Sequence, residues 1–347
     1  MVALELAKAQ RGLGVDSTLL LLYASEGAEK KSDSYACAIP HRSRWTAGVA
    51  KLRSVLRSLN PDVIHHHHGL VWPWLASLSG SRVHVTHGHL PAPNTTLLSG
   101  PGIYAALTKG FSSSLIAISE PVAESWRAAG TACRKIALIP NGVDAERFHA
   151  ASIDKVARIR ESLSLPADRQ ILLWIGRLDT ETKGVDRLCE ILRLVHEKCY
   201  VVIVGDGSGR KYLQEQVAAA GGERKCLYVG SVADPAPYYQ SADALLFTSR
   251  REPMGLVILE AAATGLPIFA FPCEGGAKAL LQELGATSAQ SDDANALADL
   301  INEAPWARRS PGEILTLAAK YSWEGCARRI MDVYAEVLKR REPLNAH

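Results

Sequence analysis

Short apolar runs alternate with amphipathic stretches of helical period along almost the whole chain. In the second half the runs are Ile171–Ile175, Val201–Val204, Leu227–Val229, Ala244–Phe247 and Ile268–Phe271. Between them, segments such as Val185–His196 and Arg210–Ala220 repeat apolar residues every three or four positions. Strands buried on both faces read as continuous apolar runs, so this rhythm predicts βαβ units and a parallel sheet covered by helices on both sides. The first half repeats the pattern more weakly, in Thr18–Leu22, Val63–His66, Val83–Thr86, Leu115–Ile118 and Ile136–Ile139. Helices are expected there near 45–58, 70–79, 98–109 and 121–129.

A chain of 347 residues is long enough for about two domains with cores of their own. The turn-rich segment Pro140-Asn141-Gly142-Val143-Asp144 reads as a domain exit. The expected fold class is therefore α/β, with two doubly wound, Rossmann-like domains facing a cleft. The first spans 1–145 and takes back a long amphipathic helix over 323–341; the second spans 146–322. A doubly wound domain normally opens with a central strand and a Gly-rich turn. Here the chain opens on an amphipathic helix, Met1 to Lys8, so the first strand is missing from its expected place. Either the start is truncated or another segment fills the gap.

Composition narrows the class. Residues 1–150 hold 15 Lys/Arg against 10 Asp/Glu, and nine of the 11 histidines. That half is modestly basic, which fits either an anionic partner or a solvated face. No stretch is long and apolar enough to span a membrane, and no leader pattern is found. The seven cysteines (Cys37, Cys133, Cys189, Cys199, Cys226, Cys273, Cys326) show no paired spacing, so reduced thiols in a cytoplasmic protein are expected rather than a disulfide frame or zinc site.

The chemistry concentrates after two strands of the second half. Glu252 and Glu260 bracket Pro253-Met254-Gly255-Leu256-Val257-Ile258-Leu259. With Pro253 in the first turn of a helix, the second carboxylate lies roughly 7 Å along it. The N–H groups of Met254, Gly255 and Leu256 would make an anion site between the two acids. A ligand with hydroxyls at both ends and phosphate between them, a sugar nucleotide, suits that layout. The loop after Ile171–Ile175 carries Gly176, Arg177 and, opening the next helix, Lys183-Gly184. Arginine forks two phosphate oxygens and lysine adds a point charge, so the pair reads as a phosphate clamp. Gly205-Asp206-Gly207-Ser208-Gly209 has the wrong spacing and the wrong strand for a nicotinamide cofactor. The run His65-His66-His67-His68 continues a strand, and alternation sends its side chains to opposite faces; core and rim packing is expected instead of one four-histidine metal site.

Taken in order, Gly176-Arg177-Leu178, Lys183-Gly184, Val204-Gly205-Asp206-Gly207, Val229-Gly230-Ser231-Val232 and Glu252 to Glu260 resemble the retaining glycosyltransferases of family 4, which have the GT-B fold. Ile139 to Asp144 is similar to that family's interdomain segment, and Tyr321-Ser322-Trp323 to the lead into its crossover helix. The resemblance implies that Arg177 and Lys183 bind the donor diphosphate and that Glu260 accepts hydrogen bonds from the ribose. Glu252 would contact the transferred sugar, with the backbone of Met254, Gly255 and Leu256; Gly176 would line the donor site and Val232 would lie near the base. His87 matches a position where many members place a histidine facing the donor sugar, and Gly88 is expected to let the ligand approach; His89 is the weaker candidate. No metal and no other cofactor is implied, and no Asp-x-Asp motif is evident. The implied acceptor is a saccharide or a lipid-linked sugar of a polysaccharide, lipopolysaccharide or glycolipid pathway; no nucleic acid is implied. Helix 45–58, with Lys51, Arg53 and Arg57 after Arg42 and Arg44 and an apolar stripe of Trp45, Val49, Leu52 and Leu56, fits peripheral contact with anionic lipid or a solvated helix on its own sheet. The missing strand also fits a sugar-nucleotide-binding protein that no longer transfers, and an epimerase or phosphorylase of the same fold is a further alternative.

Overall fold

The computed structural model describes residues 2–21, 35–36, 45–67, 69–78, 82–96, 98–219 and 222–340. The chain divides into two compact units, Met1–Asn141 with Trp323–His347, and Gly142–Ser322. Cys37, Arg42, Arg44 and His68, all singled out above, lie outside the described residues.

The first unit contains α1 (Val2–Gly12), β1 (Leu20–Leu21), β2 (Tyr35–Ala36), α2 (Trp45–Leu59), β3 (Val63–His66), α3 (Val71–Ser77), β4 (Val83–Gly88), α4 (Gly100–Phe111), β5 (Ser114–Ala117), α5 (Glu120–Ala128) and β6 (Ile136–Leu138). Strands β3 to β6 form a parallel sheet in chain order, while β1 and β2 make a separate parallel pair. Among the described residues no strand joins the pair to the sheet. The expected gap is therefore a break between two sheets, and no described segment fills it.

The second unit contains α6 (Ile153–Ser162), β7 (Gln170–Ile175), α7 (Val185–Leu194), β8 (Cys199–Val204), α8 (Arg210–Ala219), β9 (Cys226–Gly230), α9 (Ala236–Ser241), β10 (Ala244–Phe247), α10 (Leu256–Ala263), β11 (Ile268–Ala270), α11 (Gly276–Glu283), β12 (Thr287–Ser288), α12 (Ala294–Glu303) and α13 (Pro311–Lys320). Its sheet is parallel throughout, in the order β12-β11-β10-β7-β8-β9. From β7 the chain winds outward one way to β9, then returns to β10 and winds the other way. The order reverses between β7 and β10, and crevices at the carboxyl ends of such strands are where ligands of open α/β sheets bind.

Helix α14 (Trp323–Lys339) belongs to the first unit. Its Cys326, Ala327, Ile330 and Val337 share a core with Leu6 of α1, Val83 and Val85 of β4 and Ile116 of β5. The apolar stripe of α2 is also committed inward: Leu52 and Leu56 are each 4% exposed and cluster with Ala76 of α3, and Val49 packs beside them. Arg53 donates to the carbonyl of Leu75, so α2 is tied to α3 by its cations as well. Among the described residues of the basic set Lys51 and Arg57 are exposed and Arg53 is half-buried, and the side chain of Trp45 lies outside the described residues. No helix among the described residues is long and apolar enough to cross a membrane.

Candidate functional site

In the second unit, the loops leaving β7 and β10 are zipped together by side chains and backbone. Trp174 Nε1, at the end of β7, donates to Thr248 Oγ1 at 2.8 Å, and that hydroxyl donates to the Lys183 carbonyl at 2.6 Å. The Arg250 amide donates to the Thr182 carbonyl at 2.8 Å, and its guanidinium forks Asp186 of α7 at 2.7 and 2.6 Å. Gly184 caps α7 with φ +65°, and a Cβ there would sit 2.3 Å from the Thr248 carbonyl oxygen. Only glycine fits that approach and that backbone.

This zipper joins two residues named from the sequence. Lys183 Nζ donates to Glu252 Oε2, with both side chains mostly buried. Arg177 is on the same loop but exposed, its side chain 68% accessible; its Nε donates to Asp179 Oδ2 at 2.9 Å and a terminal nitrogen reaches Thr182 Oγ1 at 3.4 Å. Asp179 also accepts from the Thr182 amide at 2.7 Å and the Lys183 amide at 3.2 Å, which shapes the turn into α7. Burial pulls the Asp179 carboxyl upward, but the hydrogen bonds from Thr182, Arg177 and Lys183 outweigh it and hold it at about 2. Gly176 lies under this loop: its amide donates to the Val204 carbonyl at 3.0 Å, and Gly205 crosses it so closely that a Cβ would be 1.8 Å from the Gly176 oxygen. A Cβ at Gly207 would be 2.4 Å from the Leu178 oxygen. The Gly205-Asp206-Gly207 signal is thus a packing requirement of the Arg177 loop.

The helix after β10 starts later than expected. Gly255, at φ +89°, is the N-cap and α10 begins at Leu256, so Pro253 lies in the loop and not in the first helical turn. The left-handed glycine turns the chain, and Glu252 stands off the helix on that loop. Its amide donates to the Glu274 carbonyl at 2.9 Å and its carbonyl accepts from Ala277 at 3.2 Å, anchoring it to α11. Met254 and Gly255 are buried, and Leu256 and Val232 partly so. Glu260, inside α10, is 9% exposed and accepts from Tyr239 Oη at 2.6 Å. Burial raises its carboxyl above the ordinary range, and the Tyr239 hydroxyl and Arg147 only partly offset that. Burial and the facing carboxylate push Tyr239 itself well up. An open recess beside this loop is lined by Arg250, Arg251, Glu274 and Lys278 among others, and by none of the residues named above for the donor.

Sequence reasoning passed over Tyr239, Thr248 and Asp179. Asp179 was the legible one, an acid two residues after Arg177 and three before Thr182, where it closes an Asx-type turn. Tyr239 reaches Glu260 from one helix to another and Thr248 links the ends of β7 and β10, so both act through contacts between distant elements and carried no local signal.

In the first unit, His87 lies on β4, 2% exposed. Burial drives its pKa well below 6.5, with His89 and His65 adding to the effect; Asn141 works weakly against them, but neither ring nitrogen of His87 completes a hydrogen bond. Gly88 does not open a path to a ligand as expected. A Cβ there would meet Trp126 Nε1 at 3.3 Å and Val122 at 3.5 Å, so its space is filled by this unit's own interior. The histidine run splits by face. His66 is buried against Trp74, ring centroids 4.1 Å apart, and its Nε2 is 3.0 Å from His84 Nδ1. His65 and His67 instead turn toward His87, at centroid distances of 5.2 and 4.7 Å. Opposite faces do hold the run apart, but the neighbouring strand supplies a third imidazole to one of them.

Residues 155–305 match the family of glycosyl transferases group 1, and residues 1–147 match glycosyltransferase family 4. A D-inositol 3-phosphate glycosyltransferase of Xylanimonas cellulosilytica is 28% identical over 328 residues, covering 86% of this chain and 77% of that protein. A glycogen synthase of Mycobacterium tuberculosis is 28% identical over 320 residues, covering 84% and 75%. Among solved structures, Anabaena HepE in complex with UDP and glucose superposes with a TM-score of 0.82 at 21% identity, covering 96% of each chain. WaaG, a glycosyltransferase involved in lipopolysaccharide biosynthesis, gives 0.68 at 17% identity over 99% of this chain and 95% of its own.

Proposed function

The chain belongs to the glycosyltransferases of family 4, of GT-B fold, acting on nucleotide-sugar donors, and from that premise we propose that it transfers the sugar with retention of configuration and without a metal ion. The observation that carries this reading is the Lys183–Glu252 ion pair, with Arg177 exposed on the Lys183 loop, at the switch point between β7 and β10. Arg177 and Lys183 neutralise the diphosphate as the glycosidic bond breaks, stabilising charge where it develops. That supplies the electrostatic role a divalent ion plays elsewhere. Glu252 orients the hydroxyls of the sugar, and the backbone amides of Met254, Gly255 and Leu256 add donors. Glu260 accepts from the ribose, Gly176 lines the donor site, Val232 flanks the base and His87 faces the transferred sugar. HepE, at this fold, binds UDP, UDP-glucose and glucose; a uracil nucleotide is accordingly the first donor class to test.

We assign the acceptor to saccharides or lipid-linked sugars of polysaccharide, lipopolysaccharide or glycolipid synthesis; WaaG is involved in lipopolysaccharide biosynthesis. Because the described part of the α2 apolar stripe is used inside the first unit, peripheral contact with an anionic membrane would rest, among the described residues of the basic set, on Lys51 and Arg57. The domain division proposed is 1–145 with 323–341, and 146–322.

The experiment is a thermal-shift screen of nucleotide diphosphates and their sugars, since a ligand of the folded state raises the melting temperature. Transfer of labelled sugar to pooled acceptors follows, with and without EDTA, and the product anomer is read by NMR. Stabilisation by a sugar nucleotide with EDTA-resistant, retaining transfer supports the reading. Binding without transfer would make the chain a sugar-nucleotide-binding protein. Isomerisation of the donor sugar with no acceptor present would make it an epimerase.

A further inference from the structure

We propose that His65, His67 and His87 form a binding site for one borderline divalent transition-metal ion, of which Zn²⁺ is the type. The three rings each offer a nitrogen, and these nitrogens all lie within 4.8 Å of one another. Period-two alternation sets His65 and His67 on one face of β3 and its extension. The parallel register, with His65 opposite Val85 and His66 opposite Thr86, brings His87 of β4 to the same face. Three imidazoles with an open fourth position are a common zinc arrangement. Ligand nitrogens about 2.0–2.1 Å from a tetrahedral zinc are about 3.4 Å apart, so on binding the rings must close in, and His65 and His87, now stacked 9° from parallel, must turn until their in-plane lone pairs converge.

Two observations point to a ligand and not merely to packing. Both ring nitrogens of His87, 2% exposed, and Nε2 of His65 are buried with no hydrogen-bond partner. Leaving such atoms unsatisfied costs about 1–3 kcal/mol each, and a metal ion would satisfy one nitrogen of His87 together with Nε2 of His65. The surroundings also orient the rings. His65 Nδ1 is 2.6 Å from Tyr334 Oη, which accepts from Gln10 Nε2 at 3.2 Å. With its proton on Nδ1, donated to Tyr334, His65 keeps its Nε2 lone pair available to an ion. His67 Nδ1 is likewise 3.1 Å from His89 Nε2. Partners on the far nitrogen are what fix the tautomer of metal-bound histidines. By contrast the His66–His84 pair on the other face satisfies its own contact against Trp74.

The site shares His87 with the proposed transferase assignment, so a bound ion and the donor sugar would compete for that ring; its test nevertheless needs neither donor nor acceptor. The full chain, stripped with a chelator, is titrated with Zn²⁺ at neutral pH by calorimetry and by competition with a chromophoric chelator, and Co²⁺ is then substituted for the visible spectrum. The expected result is one equivalent bound at micromolar affinity or tighter, with a tetrahedral Co²⁺ spectrum free of thiolate charge transfer. His65→Gln and His67→Gln, each shown by its metal-free melt to be folded, should weaken binding by tenfold or more, on the order of the loss for disturbed metal shells; His149→Gln in the second unit should not. If His65→Gln does not fold, the partly exposed His67 carries the comparison. Absence of an equivalent of bound metal, binding unchanged in the two variants, or a thiolate spectrum would each overturn the proposal.

Discussion

Lys183 and Glu252 are joined by a direct ion pair between the loops leaving β7 and β10, although they are 69 positions apart in the chain. On the proposed assignment, a diphosphate entering beside Lys183 would compete for its ammonium, and a sugar entering beside Glu252 would compete for its carboxylate. The pair holds each group in place until the ligand exchanges one set of contacts for another. Lys183→Ala and Glu252→Ala should each lower kcat/KM by on the order of 10² or more. Because each group positions the other, the double variant should fall little below the worse single one. Steady-state kinetics on the four proteins check this; losses that simply multiply would show that the two residues act independently.

Gly205 and Gly176 lie backbone on backbone beneath the Arg177 loop. A methyl group at Gly205 would meet the Gly176 oxygen at 1.8 Å on a backbone of φ +131°. Gly205→Ala must therefore push the loop and strain its own residue, and should destabilise the second unit by about 2–4 kcal/mol in urea titrations. Gly312→Ala, where nothing lies within 4 Å of the new Cβ, should stay within about 0.5 kcal/mol. Equal, small effects at both positions would remove the packing explanation of the Gly205-Asp206-Gly207 motif.

The parallel sheets were legible because strands buried on both faces read as unbroken apolar runs; Ile171–Ile175 and Ala244–Phe247 lie within β7 and β10 almost residue for residue. Arg177, Lys183 and Glu252 were legible because loops at carboxyl ends of strands share an edge whatever their separation in sequence. The start of α10 was not. Pro253 has the right φ for a first turn, but a positive-φ glycine two residues later overrules it. The histidine cluster escaped for a related reason: alternation within β3 was read correctly, but the face of β4 that meets it depends on register, which one strand does not encode. Tyr239 escaped because a hydroxyl reaching a glutamate on another helix leaves no periodic trace.

Tyr239 donates to Glu260 at 2.6 Å in a buried setting. Removing the hydroxyl leaves the carboxylate with less to favour its charged form, and a charge-assisted hydrogen bond is worth about 1.5–3 kcal/mol. With Glu260 as the ribose acceptor, Tyr239→Phe should weaken nucleotide binding by roughly tenfold. The effect should disappear with a 2′,3′-dideoxy nucleotide, which offers Glu260 no hydroxyl. Calorimetry with both ligands decides it, and an equal loss for the two would assign Tyr239 to packing alone.

At Glu260 ligand binding and stability oppose each other. Burial raises its carboxyl in the folded chain above the ordinary 4.5, and the hydrogen bond from Tyr239 offsets this only partly. Between 4.5 and the raised value the folded chain holds a proton that the unfolded chain has released, so stability falls as pH rises through that window. Above the window the penalty is constant, and below 4.5 it vanishes. Glu260→Gln keeps the shape and an acceptor for Tyr239 but has no charge to bury. The variant should melt a few degrees above wild type at pH 8, on the scale of about 2–4 °C per kcal/mol for a domain of this size. That advantage should shrink toward zero as pH approaches 4.5, while nucleotide affinity at pH 8 is reduced. Calorimetric melts of both proteins across the range test the sign directly, and a variant less stable than wild type at pH 8 would mean that the charged carboxylate is a net stabiliser of the fold.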